Sequence, residues 1–166
     1  EKILKDLIAE DDYIKAREIG LRQLESSFKT EKQIKDKLAE KGFDEDIIEQ
    51  VLEKFREYNL VDDHKYTEMF LKEKLRSRGL KKATYELYQK GISKELVAEV
   101  SEEINTFALE EESCRAHGAK KYAQLKTKET DRYKLKNKLF TFLSSKGYDY
   151  DLITDVMGEL LTDKTV

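Results

Sequence analysis

The sequence contains no proline, a single cysteine (Cys114) and no apolar run of membrane-spanning length. Proline costs ~3 kcal/mol inside a helix, so its absence from 166 residues suits a chain that is helical almost throughout. One cysteine excludes an internal disulfide framework and fits a reducing compartment. Nothing approaches the ~18 apolar residues of a bilayer span, no secretory leader is visible, and a cytoplasmic location is expected. The net charge of −3 supplies no global field that would favour nucleic acid or an anionic membrane. With 40% charged and 39% hydrophobic residues, a row of small three-helix modules suits the chain better than one large core.

What is present is a phrase used three times. It reads Leu-x-x-Lys-Gly-Phe-Asp at residues 38–44, Leu-x-x-Lys-Gly-Ile-Ser at 87–93 and Leu-x-x-Lys-Gly-Tyr-Asp at 143–149. Alignment on Gly42, Gly91 and Gly147 brings apolar residues into coincidence: Leu38, Leu87 and Leu143 before the glycine, then Ile48, Val97 and Ile153 after it. Val51, Val100 and Val156 follow, and then Phe55, Ile104 and Leu160. Self-similarity of this kind marks an array of one helical unit.

Each phrase has a physical reading. Glycine just past an apolar-periodic helix supplies a left-handed C-cap. The next residue (Phe43, Ile92 or Tyr148) packs back on that helix and also staples the following one. Asp44, Ser93 and Asp149 then read as N-caps. Upstream of each pair lies another amphipathic stretch, from about residue 12 to 26, 63 to 78 and 108 to 126. Thr30 with Gln33 forms a capping box. The expected fold is all-α: three tandem three-helix repeats in an elongated, curved array. Their bounds are 1–60 (with a short lead-in over 1–10), 61–107 and 108–166.

Charge is segregated. Residues 72–94 hold eight Lys or Arg against Glu73 and Glu86, and residues 115–138 hold nine against Glu129 and Asp131. Residues 95–112 carry seven acids and no base. The helix–turn–helix pairs invite a DNA-recognition reading, but the helix after Gly42 carries Glu45, Asp46, Glu49, Glu53 and Glu57. Affinity for DNA comes mainly from cations on phosphates, so that helix is repelled from a groove. Arg132, Lys134, Lys136 and Lys138 suit nonspecific phosphate contact better, against the plain reading of a solvated face. Tyr85 and Tyr88 beside Lys81 and Lys82 could stack on bases or pack a helix interface.

Cys114 and His117 could touch one metal, but zinc needs about four ligands and no others lie nearby in sequence. Asp62, Asp63 and His64 form an acid–base cluster whose simpler reading is a helix N-cap. No phosphate loop, nucleophile elbow or metalloprotease motif is present. No catalytic, cofactor-binding or metal-binding residue is assigned, and no cofactor is expected.

Lys15-Ala16-Arg17, Leu21, Leu24, residues 30–34, Leu38 and Lys41-Gly42-Phe43 lead into Leu60-Val61-Asp62-Asp63, Tyr66, Phe70 and Lys90-Gly91-Ile92. This order resembles the RecX family of bacterial regulators of the RecA recombinase. The likeness spans essentially the whole chain and is looser in the third module. Thr67 and Gly20 stand where the family commonly has alanine. The first ten residues resemble the stretch that follows an extra N-terminal region in longer members, so the chain is expected to be the three-module part of a bigger protein. The resemblance implies a non-enzymatic inhibitor, acting as a monomer with no membrane partner. It would bind within the groove of the RecA nucleoprotein filament, block extension or promote disassembly, and damp strand exchange and the coprotease activity of the SOS response. Weak DNA contact is allowed. The residues expected to carry filament binding are Arg76, Arg78, Lys81, Lys82, Lys120, Lys121, Arg132, Lys134, Lys136 and Lys138. The rival reading is a nucleic-acid-binding helical module, or a scaffold, acting without RecA.

Overall fold

The computed structural model describes residues 1–162 and is all-α, with nine helices and no strand among the described residues. In chain order they are α1 (Lys2–Ser26), α2 (Glu31–Glu40), α3 (Glu45–Glu57), α4 (Asp63–Lys74) and α5 (Leu80–Gln89). They continue with α6 (Lys94–Glu103), α7 (Thr106–Leu125), α8 (Arg132–Ser145) and α9 (Tyr150–Thr162).

The expected lead-in over residues 1–10 is not separate. It is the N-terminal part of α1, a single 25-residue helix. No proline or glycine interrupts residues 1–19, and an ion pair between Lys15 and Asp11, four apart, supports the join. The apolar residues of this extension are not buried. Ile3, Leu4, Leu7 and Ile8 are all more than half exposed.

All three phrase glycines adopt the left-handed conformation, with φ of +88° at Gly42, +83° at Gly91 and +93° at Gly147. Gly42 N–H donates to Ala39 O at 2.9 Å, and Phe43 N–H to Leu38 O at 3.3 Å. These two bonds are the Schellman pair that satisfies the last carbonyls of a helix. Gly91 N–H to Tyr88 O and Gly147 N–H to Ser144 O repeat the inner bond at 3.0 Å each. The leucine four residues before each glycine is fully buried, and Ile92 and Tyr148 after the second and third are buried as well. One expectation is corrected here. Asp44 occupies the N-cap position of α3 with extended backbone, yet its side chain makes no capping hydrogen bond. Its carboxylate is exposed and stays with solvent.

The chain forms two compact units. The first comprises Glu1–Thr67 with Tyr88–Lys94. Its core gathers Ala16, Ile34, Leu38, Ile48, Val51 and Phe55 around the α1–α3 bundle, with Tyr13 and Phe43 packed at the margin. Removing such side chains from water is worth about 1.5–3 kcal/mol each, which is why a 10-residue helix such as α2 holds its shape. The capping box is formed, Thr30 N–H donating to Gln33 Oε1 at 2.9 Å and Gln33 N–H to Thr30 Oγ1 at 3.3 Å. Asp62 accepts Lys65 N–H at 3.0 Å and so caps α4. Asp63 does something else: its Oδ1 accepts Glu31 N–H, at 3.0 Å, on the first turn of α2.

The second unit comprises Glu68–Leu87 with the described part of Glu95–Val166. Its core is Cys114, Leu139, Leu143, Tyr148, Leu152, Ile153 and Val156 from α7, α8 and α9. Burial pushes the Cys114 thiol up to about 12, so the thiolate is not populated near neutrality. His117 is committed elsewhere. Its Nδ1 lies 2.8 Å from Ser113 O and 3.2 Å from Tyr148 Oη, while Ser113 Oγ and Tyr148 Oη stand 2.7 Å apart. This network satisfies the polar atoms that the core would otherwise strand.

Candidate basic interface

The ten basic residues singled out in the sequence all fall in the second unit, and the structure sorts them into groups. Arg78, Lys81 and Lys82 come together because α5 begins between them, at Leu80. Gly79 N–H donates to Lys146 O at 2.9 Å, and Leu80 N–H donates to Glu110 Oε1 at 2.8 Å. The start of α5 is thereby pinned on the α8–α9 turn. Arg78, Lys81, Lys82, Tyr85 and Glu86 then form one wall of a groove of ≈690 Å3, with Ser144 and Gly147 opposite. Arg78 is ion-paired with Glu86. Lys81 and Lys82 are exposed and pair with no carboxylate among the described residues. The stem of Lys82 lies over Gly147, with Cγ 2.7 Å from the site a Cβ there would take. Tyr85 is also exposed.

A second groove, of ≈420 Å3, runs between α7 and α8 and is lined by Lys121, Leu125, Asn137, Lys138, Thr141, Phe142 and Ser145. Phe142 lies on the wall of this second groove. The Lys121 ammonium stands 5.0 Å from its ring centroid and the Lys146 ammonium 5.4 Å, each within cation–π reach. Lys138 is neutralised by Glu129 at 2.7 Å, and that hydrogen bond holds the Glu129 carboxyl below its ordinary range.

The other expected residues lie apart. Arg76 lines a different groove with Lys72, Leu75, Leu109, Glu112, Ser113 and Ala116. Lys120, Arg132, Lys134 and Lys136 are exposed and line neither of the two basic grooves. Residues two apart on a helix do not share a face, so Arg132 to Lys138 is not one basic stripe. Lys146 and Ser144 were not expected at the site. The signal for Lys146 was available, because it is the lysine of the third Lys-Gly phrase.

Glu110 is the acid that holds this surface in place. Burial raises its carboxyl pKa above the ordinary value of 4.5, although the Leu80 N–H bond pulls the other way. A carboxyl with a raised folded pKa holds its proton more tightly folded than unfolded. Its contribution to stability is full below the unfolded pKa and is lost as pH rises through the folded one. Glu110→Gln keeps an acceptor for Leu80 N–H and cannot ionise. The variant should therefore gain in melting temperature relative to the parent as pH rises from about 4 to about 7. A gap that is constant or narrows over that range would show that Glu110 is not penalised by burial.

Models of the three RecX domains match this chain in order: the first three-helix domain over residues 16–55, the second over 62–100 and the third over 109–157. The chain is 45% identical over 163 residues to the regulatory protein RecX of Clostridium perfringens (strain 13), covering 97% of this chain and 76% of that one. It is 44% identical over 158 residues to the regulatory protein RecX of Clostridium botulinum (strain Eklund 17B), covering 95% and 74%. The crystal structure of RecX from Lactobacillus salivarius superposes with a TM-score of 0.82 at 26% identity, covering 91% of this chain and 97% of that one. Helical repeat, glycine-stopped turns and these matches together place the chain in the RecX family.

Proposed function

We propose that this protein is a non-enzymatic regulator of the RecA recombinase. It binds the RecA–DNA filament and restrains its extension, and with it strand exchange and coprotease activity. The observation that carries this reading is the run of three RecX domain matches along one chain, backed by relatives named as regulatory proteins.

The surface chemistry supports a protein–DNA partner over naked DNA. The first unit presents an acidic α3, with Glu45, Asp46, Glu49, Glu53 and Glu57 all exposed. Arg56 is absorbed by Glu31 at 2.7 Å and Glu49 at 2.9 Å, which leaves it little reach for phosphate. The second unit presents the basic grooves. A filament offers protein and phosphate together, and opposite charges on one ligand steer its approach. No helix among the described residues is long and apolar enough to cross a membrane.

Binding to labelled single-stranded DNA, with and without RecA and nucleotide, tests the proposal. Association should be strong only when the filament is assembled. Equal binding to naked DNA, with a steep salt dependence, would replace this reading with that of an independent nucleic-acid-binding module.

A further inference from the structure

Two helix starts in this molecule are held by a carboxyl group that comes from the next three-helix domain along the chain. Thr30 and Gly79 stand at the same place in the repeat, twelve residues before Gly42 and Gly91. In the first unit, Thr30 Oγ1 donates to Lys90 O at 2.7 Å. Beside it, Glu31 N–H donates at 3.0 Å to Oδ1 of Asp63, the first residue of α4. In the second unit, Gly79 N–H donates to Lys146 O at 2.9 Å. Beside it, Leu80 N–H donates at 2.8 Å to Oε1 of Glu110, early in α7. The corresponding helix of the third domain, α8, is capped by its own exposed Asp131.

The two clamps differ in what stands behind them. α2 has its own capping box, so Thr30 and Gln33 hold its first turn independently of Asp63. Burial raises the Asp63 carboxyl, with Glu31 and Asp62 adding to it, while the Glu31 N–H bond and the Arg56 cation pull the other way. α5 has neither support. Glycine carries no side-chain oxygen to cap a helix, which leaves Leu80 N–H to Glu110. Glu110 is 6% exposed, and burial is the main reason its carboxyl sits above the ordinary value. The groups that face it are Asp149 and Tyr148 from the α8–α9 turn and Cys114 one turn along α7. Burial raises the Tyr148 hydroxyl and the Cys114 thiol, so both are neutral near pH ~7. Asp149 is the charged neighbour, and its like charge adds to the cost of ionising Glu110.

We propose that Glu110 is a pH-responsive latch on the start of α5: protonated, it keeps the Leu80 amide closed, and ionised, it turns toward solvent and lets the first turn open. That turn carries Lys81 and Lys82, which stand on the wall of the ≈690 Å3 basic groove, so the latch sets how well the wall is formed. Burial sets the direction. A carboxyl that holds its proton more tightly closed than open releases the latch as pH rises. Opening grows from the ordinary value of 4.5 up to the folded pKa and levels off above it. The groove wall is therefore firmest in mildly acidic solution. The latch itself needs no partner, and its bearing on filament binding rests on the function proposed above.

Amide hydrogen exchange of the full chain, followed by NMR from about pH 4 to about pH 8, tests the latch without RecA. After correction for the base-catalysed rate, Leu80 protection should fall by up to about tenfold per pH unit within that window and then level off. Carbon-13 in the glutamate carboxyls supplies a second reading, and the Glu110 midpoint should coincide with the pH at which Leu80 protection levels off. The Lys81 and Lys82 amide shifts should move with the same midpoint. Glu110→Gln keeps an acceptor and cannot ionise, so its Leu80 protection should be flat with pH and severalfold above the parent at neutrality. The proposal is overturned if Leu80 protection in the parent is flat, or if its midpoint departs from that of Glu110. It also fails if Leu139, in the core of the same unit, loses protection in step with Leu80, because the whole unit is then unfolding. None of these readings involves RecA, so a failed filament assignment and a failed latch are told apart.

Discussion

Gly79→Ala should destabilise the second unit by about 3 kcal/mol, at the upper end of the range for forced overpacking. The reason is the identity of what a Cβ would strike. An added methyl would stand 2.1 Å from Gly147 O, 2.2 Å from Gly147 C and 2.5 Å from Tyr148 N. All three are backbone atoms of a turn whose φ of +93° already limits how it can move. Retreat would break the Gly79 N–H bond to Lys146 O and the neighbouring Leu80 N–H bond to Glu110. Each is worth about 1 kcal/mol net, with a further cost when a buried carboxylate is left unpaired. Urea denaturation of the full chain gives the measurement. A lowered midpoint with an unchanged slope is expected, and a midpoint within error of the parent would mean that the turn yields at no cost. The same substitution at an open, helical glycine supplies the contrast. Gly158 has nothing within 4 Å of its Cβ position, so Gly158→Ala should be neutral or stabilising by up to about 1 kcal/mol.

These two glycines show what the sequence could and could not disclose. The glycines at 42, 91 and 147 were legible because a repeated phrase fixes their roles: helix before, cap after, apolar staple beside. That local grammar was enough to place α2, α3, α5, α6, α8 and α9. Gly79 carried no comparable signal. It reads as a loop residue, and its true constraint comes from a turn 68 residues further along. Asp62 and Asp63 divide two roles of which only one was legible. The pair read as the cap of α4, and Asp62 takes that role; Asp63 reaches back to α2, 32 residues away, for which no local signal exists. On α4, Leu71 is fully buried while Met69, two residues earlier, is more than half exposed. Helical periodicity gives a stripe and not its exact centre, and tertiary neighbours choose between adjacent residues. At the candidate interface, the ten cations singled out by counting all fall in one unit. Counting could not separate Lys81 and Lys82, which pair with no carboxylate among the described residues, from Lys138 and Arg78, which already hold carboxylates.

That sorting has a consequence for function, and it yields the largest effect expected on activity. Lys81→Glu combined with Lys82→Glu and Lys121→Glu should weaken filament binding by about a hundredfold at moderate salt, given the ~1–2 kcal/mol that each desolvated cation contact or its reversal is worth. The three positions line the two basic grooves, Lys81 and Lys82 with no paired carboxylate among the described residues and Lys121 held over the Phe142 ring. Reversal there replaces attraction by repulsion where a phosphate or acidic protein surface would seat. Arg132→Glu with Lys134→Glu and Lys136→Glu changes net charge by the same amount at positions that line neither groove. It should cost less than about tenfold, chiefly through slower association that added salt removes. Helical circular dichroism should match the parent for both triples, since none of the six side chains is in the buried core. Equal losses from the two triples would mean that binding senses total charge only, and the groove would then lose its claim to be the interface. A hundredfold loss confined to the groove triple would instead fix the docking face on α5, α7 and the α8–α9 turn.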